Sequence, residues 1–270
     1  MPGASDFVLV SRRRRHCDGR RILNKGAKVA QIPENYEIDC KHLLRALDRT
    51  LVEIRDTPFV KLILSHLTDS LTVLNSNGIS EIVCYGLGRF SQYRSSRCQL
   101  ALLLYLKERY GARVYAYDPI FYPEEVQALR ALGLEIIETN EEGKRVVRDE
   151  ITTLVFMPHC SKQLTNNFLY ANWGSGLSNC ILFANSFTKI INDCLRREIL
   201  ETTGYILRIQ PYVTEIPLEN SFVHETVFND LSIHIFIKQD LLRASSDFWD
   251  FREEPRYSLD EIKFLSATTR

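Results

Sequence analysis

The chain has 270 residues, carries 34 basic and 34 acidic side chains, and is 45% hydrophobic and 25% charged. That is ordinary globular composition, enough for one large domain or two small ones. A net charge of zero excludes an overall field that would draw nucleic acid or membrane, and no apolar run reaches the roughly 18 residues of a membrane span.

Residues 1–38 hold the basic cluster Arg12 to Arg15 with Arg20 and Arg21. They read as a mobile arm: a solvated tail, or an import or RNA-contacting segment. Nucleic acid is not expected elsewhere. There is no long apolar core near the start, so no secretory signal is expected. The seven cysteines are scattered without CxxC spacing. Cys84 and Cys180, inside apolar strand-like runs, read as small buried hydrophobes, and the compartment reads as reducing: cytoplasm, nucleus or both.

From Asp39 the pattern is helical. Leu43, Leu44, Leu47, Leu51 and Ile54 form one stripe behind Asp39 as N-cap, and Thr57-Pro58 restarts a second helix that Asn77-Gly78 ends. This helical extension, 39–78, precedes a Rossmann-like domain, 79–243. Glu81–Tyr85 is its first strand, followed by Gly86 and Gly88, with Ser91 where a helix cap would stand. Such a turn leaves backbone N–H groups facing an anion, and Arg89, Arg94 and Arg97 add positive charge. A helix should run from Ser91 to Tyr110, then a strand over Ala112–Tyr117 ending at Asp118. An acid there holds ribose hydroxyls in many nucleotide sites, or simply turns the chain before Pro119.

A helix from Pro123, a strand over Leu134–Glu138, a charged insertion and a strand over Thr152–Met157 follow. That strand runs into Pro158-His159-Cys160. His159 and Cys160 are candidate haem or metal ligands or a nucleophile pair, or they form a structural turn. A helix from Ser161 should carry Asn172 and Trp173 over the site. Strand Cys180–Ala184 ends at Asn185-Ser186-Phe187. A helix over Thr188–Glu201 stops at Gly204, and strands over Tyr205–Glu215 and Leu231–Lys238 form an antiparallel closing pair. The tail, 244–270, is a docked extension, a partner-binding peptide or a mobile end.

The expected class is therefore α/β, Rossmann-like: a mostly parallel sheet with helices on both faces and a C-terminal antiparallel strand pair, in the methyltransferase-like variant. Gly86, Gly88, Arg89, Ser91, Asp118, Asn185 and Ser186 fall at strand ends, where such folds bind ligands. A small-molecule ligand is the expected partner, and protein partners would come through the tail. Membrane is not.

The order of Tyr85–Phe90, Asp118-Pro119, Phe156–Cys160, Asn172-Trp173 and Asn185–Phe187 resembles the "sensitivity to red light reduced" family, Met-Pro-His-Cys being its most specific element. The resemblance covers roughly residues 75–190. It implies a regulator of circadian clock input and clock-gene expression, linked to control of haem biosynthesis in animals and to microtubule stability in fungi, with no settled enzymatic activity. Haem and a nucleotide-like molecule are the ligands in view. The rival readings are an S-adenosylmethionine-dependent methyltransferase, against which the third turn glycine is replaced by Phe90, and an interaction module without a ligand.

Overall fold

The computed structural model describes residues 38–194, 197 and 202–257. The basic arm and the end of the tail lie outside those residues.

Two helices come first. In α1 (Cys40–Arg55) the Asp39 carboxylate accepts from the N–H groups of Lys41 and His42, at 2.9 and 3.2 Å, and Leu43, Leu47 and Ile54 face inward. In α2 (Pro58–Val73) Thr57 Oγ1 caps Val60 N and Pro58 takes the first turn, where its missing N–H costs nothing. The helix ends earlier than the sequence indicates. Asn75, with φ +53°, already turns the chain, because a carboxamide side chain tolerates the left-handed region.

The sheet follows: β1 (Glu81–Tyr85), α3 (Arg94–Tyr110), β2 (Arg113–Tyr117), α4 (Pro123–Ala131), β3 (Glu135–Ile136), β4 (Thr153–Met157), α5 (Lys162–Ala171), β5 (Cys180–Asn185), α6 (Phe187–Asp193), α7 (Gly204–Ile209), β6 (Thr214–Pro217), β7 (Leu231–Ile235), α8 (Lys238–Leu241) and α9 (Ser246–Asp250). The strand order is β3-β2-β1-β4-β5-β7-β6. Strands β3 to β5 are parallel, β7 is antiparallel to β5, and β6 and β7 pair antiparallel. This is the mostly parallel, methyltransferase-like Rossmann sheet with its antiparallel terminal pair. β1 lies between β2 and β4, so the order reverses there and the chain's switch point falls beside β1 and β4.

Side-chain alternation divides the core into two layers. Ile82, Cys84, Leu154, Phe156, Ile181 and Phe183 face the side packed by α1, α2 and α3. Val83, Tyr85, Val155, Met157, Leu182 and Ala184 face α5 and α7. Strands buried on both faces read as continuous apolar runs, as these do. Glu81 is a charged exception, and its buried carboxylate meets Arg113 and Arg148 at 3.1 and 3.3 Å. Helices α1 and α2 share the first layer with the sheet, so the described residues form one compact unit.

Other segments also depart from expectation: the helix expected over Thr188–Glu201 breaks at Cys194, which is extended, and the rest of that span lies largely outside the described residues. Gly204 begins a helix instead of stopping one, and 205–212 is α7 plus a short 3-10 turn, leaving only Thr214–Pro217 as strand. Tyr205, Ile206 and Ile209 are the buried residues, a helical spacing, although the same segment also alternates. Strand β3 shrinks to two residues. Helix α3 starts at Arg94, three residues late, because 89–93 form a turn of their own closed by Tyr93 N–H on Arg89 O at 2.9 Å.

The described cysteines are free, with Cys84, Cys98, Cys160 and Cys180 buried and Cys40 and Cys194 half-buried. No described helix is long and apolar enough to cross a membrane.

Candidate functional site at the C-terminal edge of the sheet

The turn after β1 is the tightest place at this edge. Gly86 and Gly88 have φ +70° and +74°, a region that costs an L side chain strain. The space is also taken: a Cβ on Gly86 would collide with Cys160 Sγ, and one on Gly88 would come 2.8 Å from Ser96 Oγ. The close approach that these glycines permit is therefore to the protein's own side chains. Leu87 and Phe90 are buried, and Phe90 meets the Phe121 ring edge-on at 6.1 Å.

Three donors of this turn have partners, the first being Gly86 N–H on Tyr117 O at 3.3 Å. Gly88 N–H donates to Asp118 Oδ2 at 2.7 Å, and Ser91 N–H donates to Glu125 Oε1 at 2.7 Å. Asp118 Oδ1 also accepts from Ile120 N–H at 3.0 Å, and Glu125 Oε2 from Tyr122 N–H at 3.0 Å. The turn thus carries two carboxylates where a ligand phosphate would sit. Burial pushes the Asp118 carboxyl up from its ordinary value, opposed by the two N–H donors and by Arg89. Arg89 itself donates to Ile120 O at 3.3 Å and lies over the Tyr122 ring. Arg94 pairs with Glu53 at 2.6 Å, and Arg97 donates to the carbonyls of Phe90 and Ser91. Ser91 does not cap α3; its hydroxyl is buried without a partner.

The second turn, after β4, is clamped onto the first. Cys160 is buried and its thiol donates to Tyr85 O at 3.2 Å. Burial, with the nearby Asp118 charge, pushes that thiol well above its ordinary range, so it is no ready thiolate. Asn185, the last residue of β5, brackets the turn: its Oδ1 accepts from His159 N–H at 3.0 Å and its Nδ2 donates to Cys160 O at 2.8 Å. That bracket holds His159 at φ +57°, a sparsely populated conformation for a residue with a side chain. Residues 86, 118, 159 and 185 are thereby joined, by direct contact or through Cys160 and Gly88, along one edge.

His159 is exposed. Its Nε2 lies 2.9 Å from Val227 O. A carbonyl can only accept, so Nε2 carries the proton and Nδ1 bears the lone pair in neutral imidazole. Gln99 Nε2 donates to the same Val227 carbonyl at 3.3 Å. The loop between β6 and β7, anchored by Phe222 and Phe228 against Phe59, is thus latched at the switch point.

Ser186 caps α6 through its hydroxyl, which accepts from Lys189 N–H at 3.0 Å. Next to it lies a polar cluster with no signal in the sequence. Glu215 accepts from Thr188 N–H and Oγ1 and from Ser232 Oγ, and sits 3.7 Å from buried His234 Nε2. Burial works against the Glu215 charge, but the neighbouring His234, Ser186 and Thr188 side chains hold its carboxyl far below the usual range. Phe187 stacks on the His234 ring with centroids 3.9 Å apart. Asn185, Ser186 and Phe187, at the passage from β5 to α6, therefore do three separate structural jobs in consecutive residues.

Asn172 and Trp173 are not over this edge. Helix α5 starts there and carries them to its far end. Asn172 holds the charged insertion through Val147 N–H and Arg145 O, and Trp173 packs against Phe248 and Trp249. Among the described residues no group of three or more His, Cys, Asp or Glu side chains could hold a metal ion.

Residues 59–235 match the SRR1 domain. The chain is 38% identical over 131 residues to an SRR1-like protein of Mus musculus, covering 47% of this chain and 52% of that one. It is 30% identical over 269 residues to an SRR1-like protein of Drosophila melanogaster, covering 95% and 92%. It is 32% identical over 170 residues to Protein SENSITIVITY TO RED LIGHT REDUCED 1 of Arabidopsis thaliana, covering 61% of each. The match thus spans about half of the mouse relative and three-fifths of the plant one. Among solved structures, the plantazolicin methyltransferase BpumL with SAH is 12% identical with a TM-score of 0.31, covering 76% of this chain and 86% of that one. A Thermoplasma acidophilum protein is 12% identical at 0.30, covering 74% and 96%. A likeness at that level assigns neither ligand nor activity.

Proposed function

The chain belongs to the SRR1 domain family, and from that premise we propose that it is a regulatory protein of the clock-input and haem-biosynthesis-control kind, acting in cytoplasm and nucleus, that contacts a small ligand through His159 at the switch point of its sheet. The observation that carries this reading is the His159 backbone. A left-handed, exposed histidine, bracketed by both ends of one carboxamide, is local strain kept by its surroundings. Its proton is committed to a backbone carbonyl, the arrangement that orients a ligating imidazole and leaves the other nitrogen to the ligand.

Haem and a nucleotide-like molecule make different demands. His159 Nδ1 fits an iron ligand. Cys160 does not, since its thiol is buried, protonated and bonded to Tyr85 O. A phosphate at the Gly86–Ser91 turn would meet the Asp118 and Glu125 carboxylates that already hold the Gly88 and Ser91 N–H groups, so that turn does not suit an anion. The same capping disfavours the methyl donor, because both Asp118 oxygens already accept backbone protons. The reading is therefore haem, through His159, without catalysis.

Titration of the purified full chain with ferric haem, followed at the Soret band, tests it. A saturable shift is expected, with no heat on calorimetry with S-adenosylmethionine. Heat with the methyl donor and an unshifted Soret band would instead select the enzyme reading. The capped turn and buried Phe90 favour one alternative, an interaction module without a ligand. Silence in both titrations would select that module.

A further inference from the structure

Residues 245–257 lie as a strap across α5 and α7. Phe248, Trp249 and Trp173 cluster with ring centroids 4.8–5.1 Å apart, and Trp173 Nε1 donates to Phe248 O. Arg208 stands over the Phe251 ring at 3.6 Å, Tyr205 OH donates to Glu253 O, and Lys144 pairs with Glu254 at 2.8 Å. None of residues 242–257 is fully buried, in contrast to the sheet beneath. A segment attached by half-buried side chains and a five-residue helix opens at low cost relative to the core.

The strap ends in a specific latch. Asn166 and Asn167 are buried carboxamides on α5. Tyr257 OH lies 2.6 Å from Asn167 Oδ1 and 3.2 Å from Gln163 O, and accepts from Asn166 Nδ2 at 3.2 Å. Asn166 Oδ1 takes Tyr205 N–H, and Asn167 Nδ2 donates to Glu142 O. The notch thus presents two oxygens to a hydroxyl proton. A phosphate there would face those oxygens as repelling acceptors, with Glu253 and Glu254 before it and Asp260 and Glu261 after it in sequence.

We infer that Tyr257 is a phosphorylation site whose modification releases the strap. The phosphoryl group comes from a nucleoside triphosphate through a tyrosine kinase. The Oη–P bond forms, the bond from the terminal phosphorus to the nucleoside diphosphate oxygen breaks, and the hydroxyl proton passes to the kinase's base. Release uncovers Trp173 and Tyr205, and takes away one wall of the cavity of about 560 Å³ that Phe251 and Arg256 of the strap form with Arg208.

The two tryptophans of the chain are both in this contact, so tryptophan emission reads the strap directly. The full chain with phosphotyrosine installed at 257 should emit to the red of the unmodified chain. Protease cleavage within 242–257 should be faster by about tenfold, and far-ultraviolet circular dichroism unchanged. A tyrosine kinase should incorporate phosphate into the parent chain that Tyr257→Phe lacks. Unchanged emission and cleavage in the phosphotyrosine chain, or equal incorporation into parent and Tyr257→Phe, overturns the inference.

Discussion

Replacing Gly86 by alanine tests how the two turns are locked together. The residue sits at φ +70°, where a side chain costs about 1–2 kcal/mol. Its new methyl would also collide with Cys160 Sγ, which is buried and bonded to Tyr85 O and cannot step aside freely. Overpacking of this kind costs about 1–3 kcal/mol. The sum is about 2–5 kcal/mol, or a fall in Tm of roughly 4–20 °C for a unit of this size. Cys160→Ala alone removes one buried sulfur and should cost about 1–2 kcal/mol. In the double variant the collision disappears and only the backbone strain remains. The pair should then be more stable than the sum of its parts by about 1–3 kcal/mol. The assay is denaturant unfolding of the four proteins as a double-mutant cycle. Additivity within about 0.5 kcal/mol would refute the contact and with it the locking of the turn after β1 to the turn after β4.

Asn185→Ala removes both bonds to the His159 turn and should lower stability by about 2–3 kcal/mol, read as a Tm fall of roughly 4–12 °C; a change under about 1 °C would contradict the bracket. Glu215 has a depressed carboxyl pKa, so its contribution is present above the ordinary value of 4.5 and lost as pH falls toward its folded value. Glu215→Gln should therefore show a shallower loss of stability below pH 4.5 than the parent chain, measured by urea unfolding at stepped pH, and equal slopes would remove the role assigned to the Glu215 cluster.

Much of this architecture is written in local pattern. The limits of β1 follow from EIVCY between a serine and a glycine, and Asp39, Thr57 and Ser161 announce the starts of α1, α2 and α5. The edge that gathers Gly86, Asp118, His159 and Asn185 follows from parallel strands whose ends share one side. What each group bonds to was not legible. Glu125 reads as an acid in a first helical turn, yet it also closes the Ser91 turn 34 residues upstream. Glu215 and His234 sit in separate strands that alternate like any others, and only the β6–β7 pairing sets them opposite each other. The segment from Tyr205 satisfies both periods, and packing on α5 decides for helix. Aromatic residues in the tail show that something will be covered, but not that Trp173 is what they cover.

Ferric haem titration of three proteins side by side tests His159 as the proposed ligand contact most directly. The parent chain and Cys160→Ala should give the same Soret shift with similar affinity, whereas His159→Ala should bind at least about tenfold more weakly, because losing only the group that orients a ligating imidazole already costs about that much. Equal binding by His159→Ala, or loss of binding in folded Cys160→Ala alone, would contradict it.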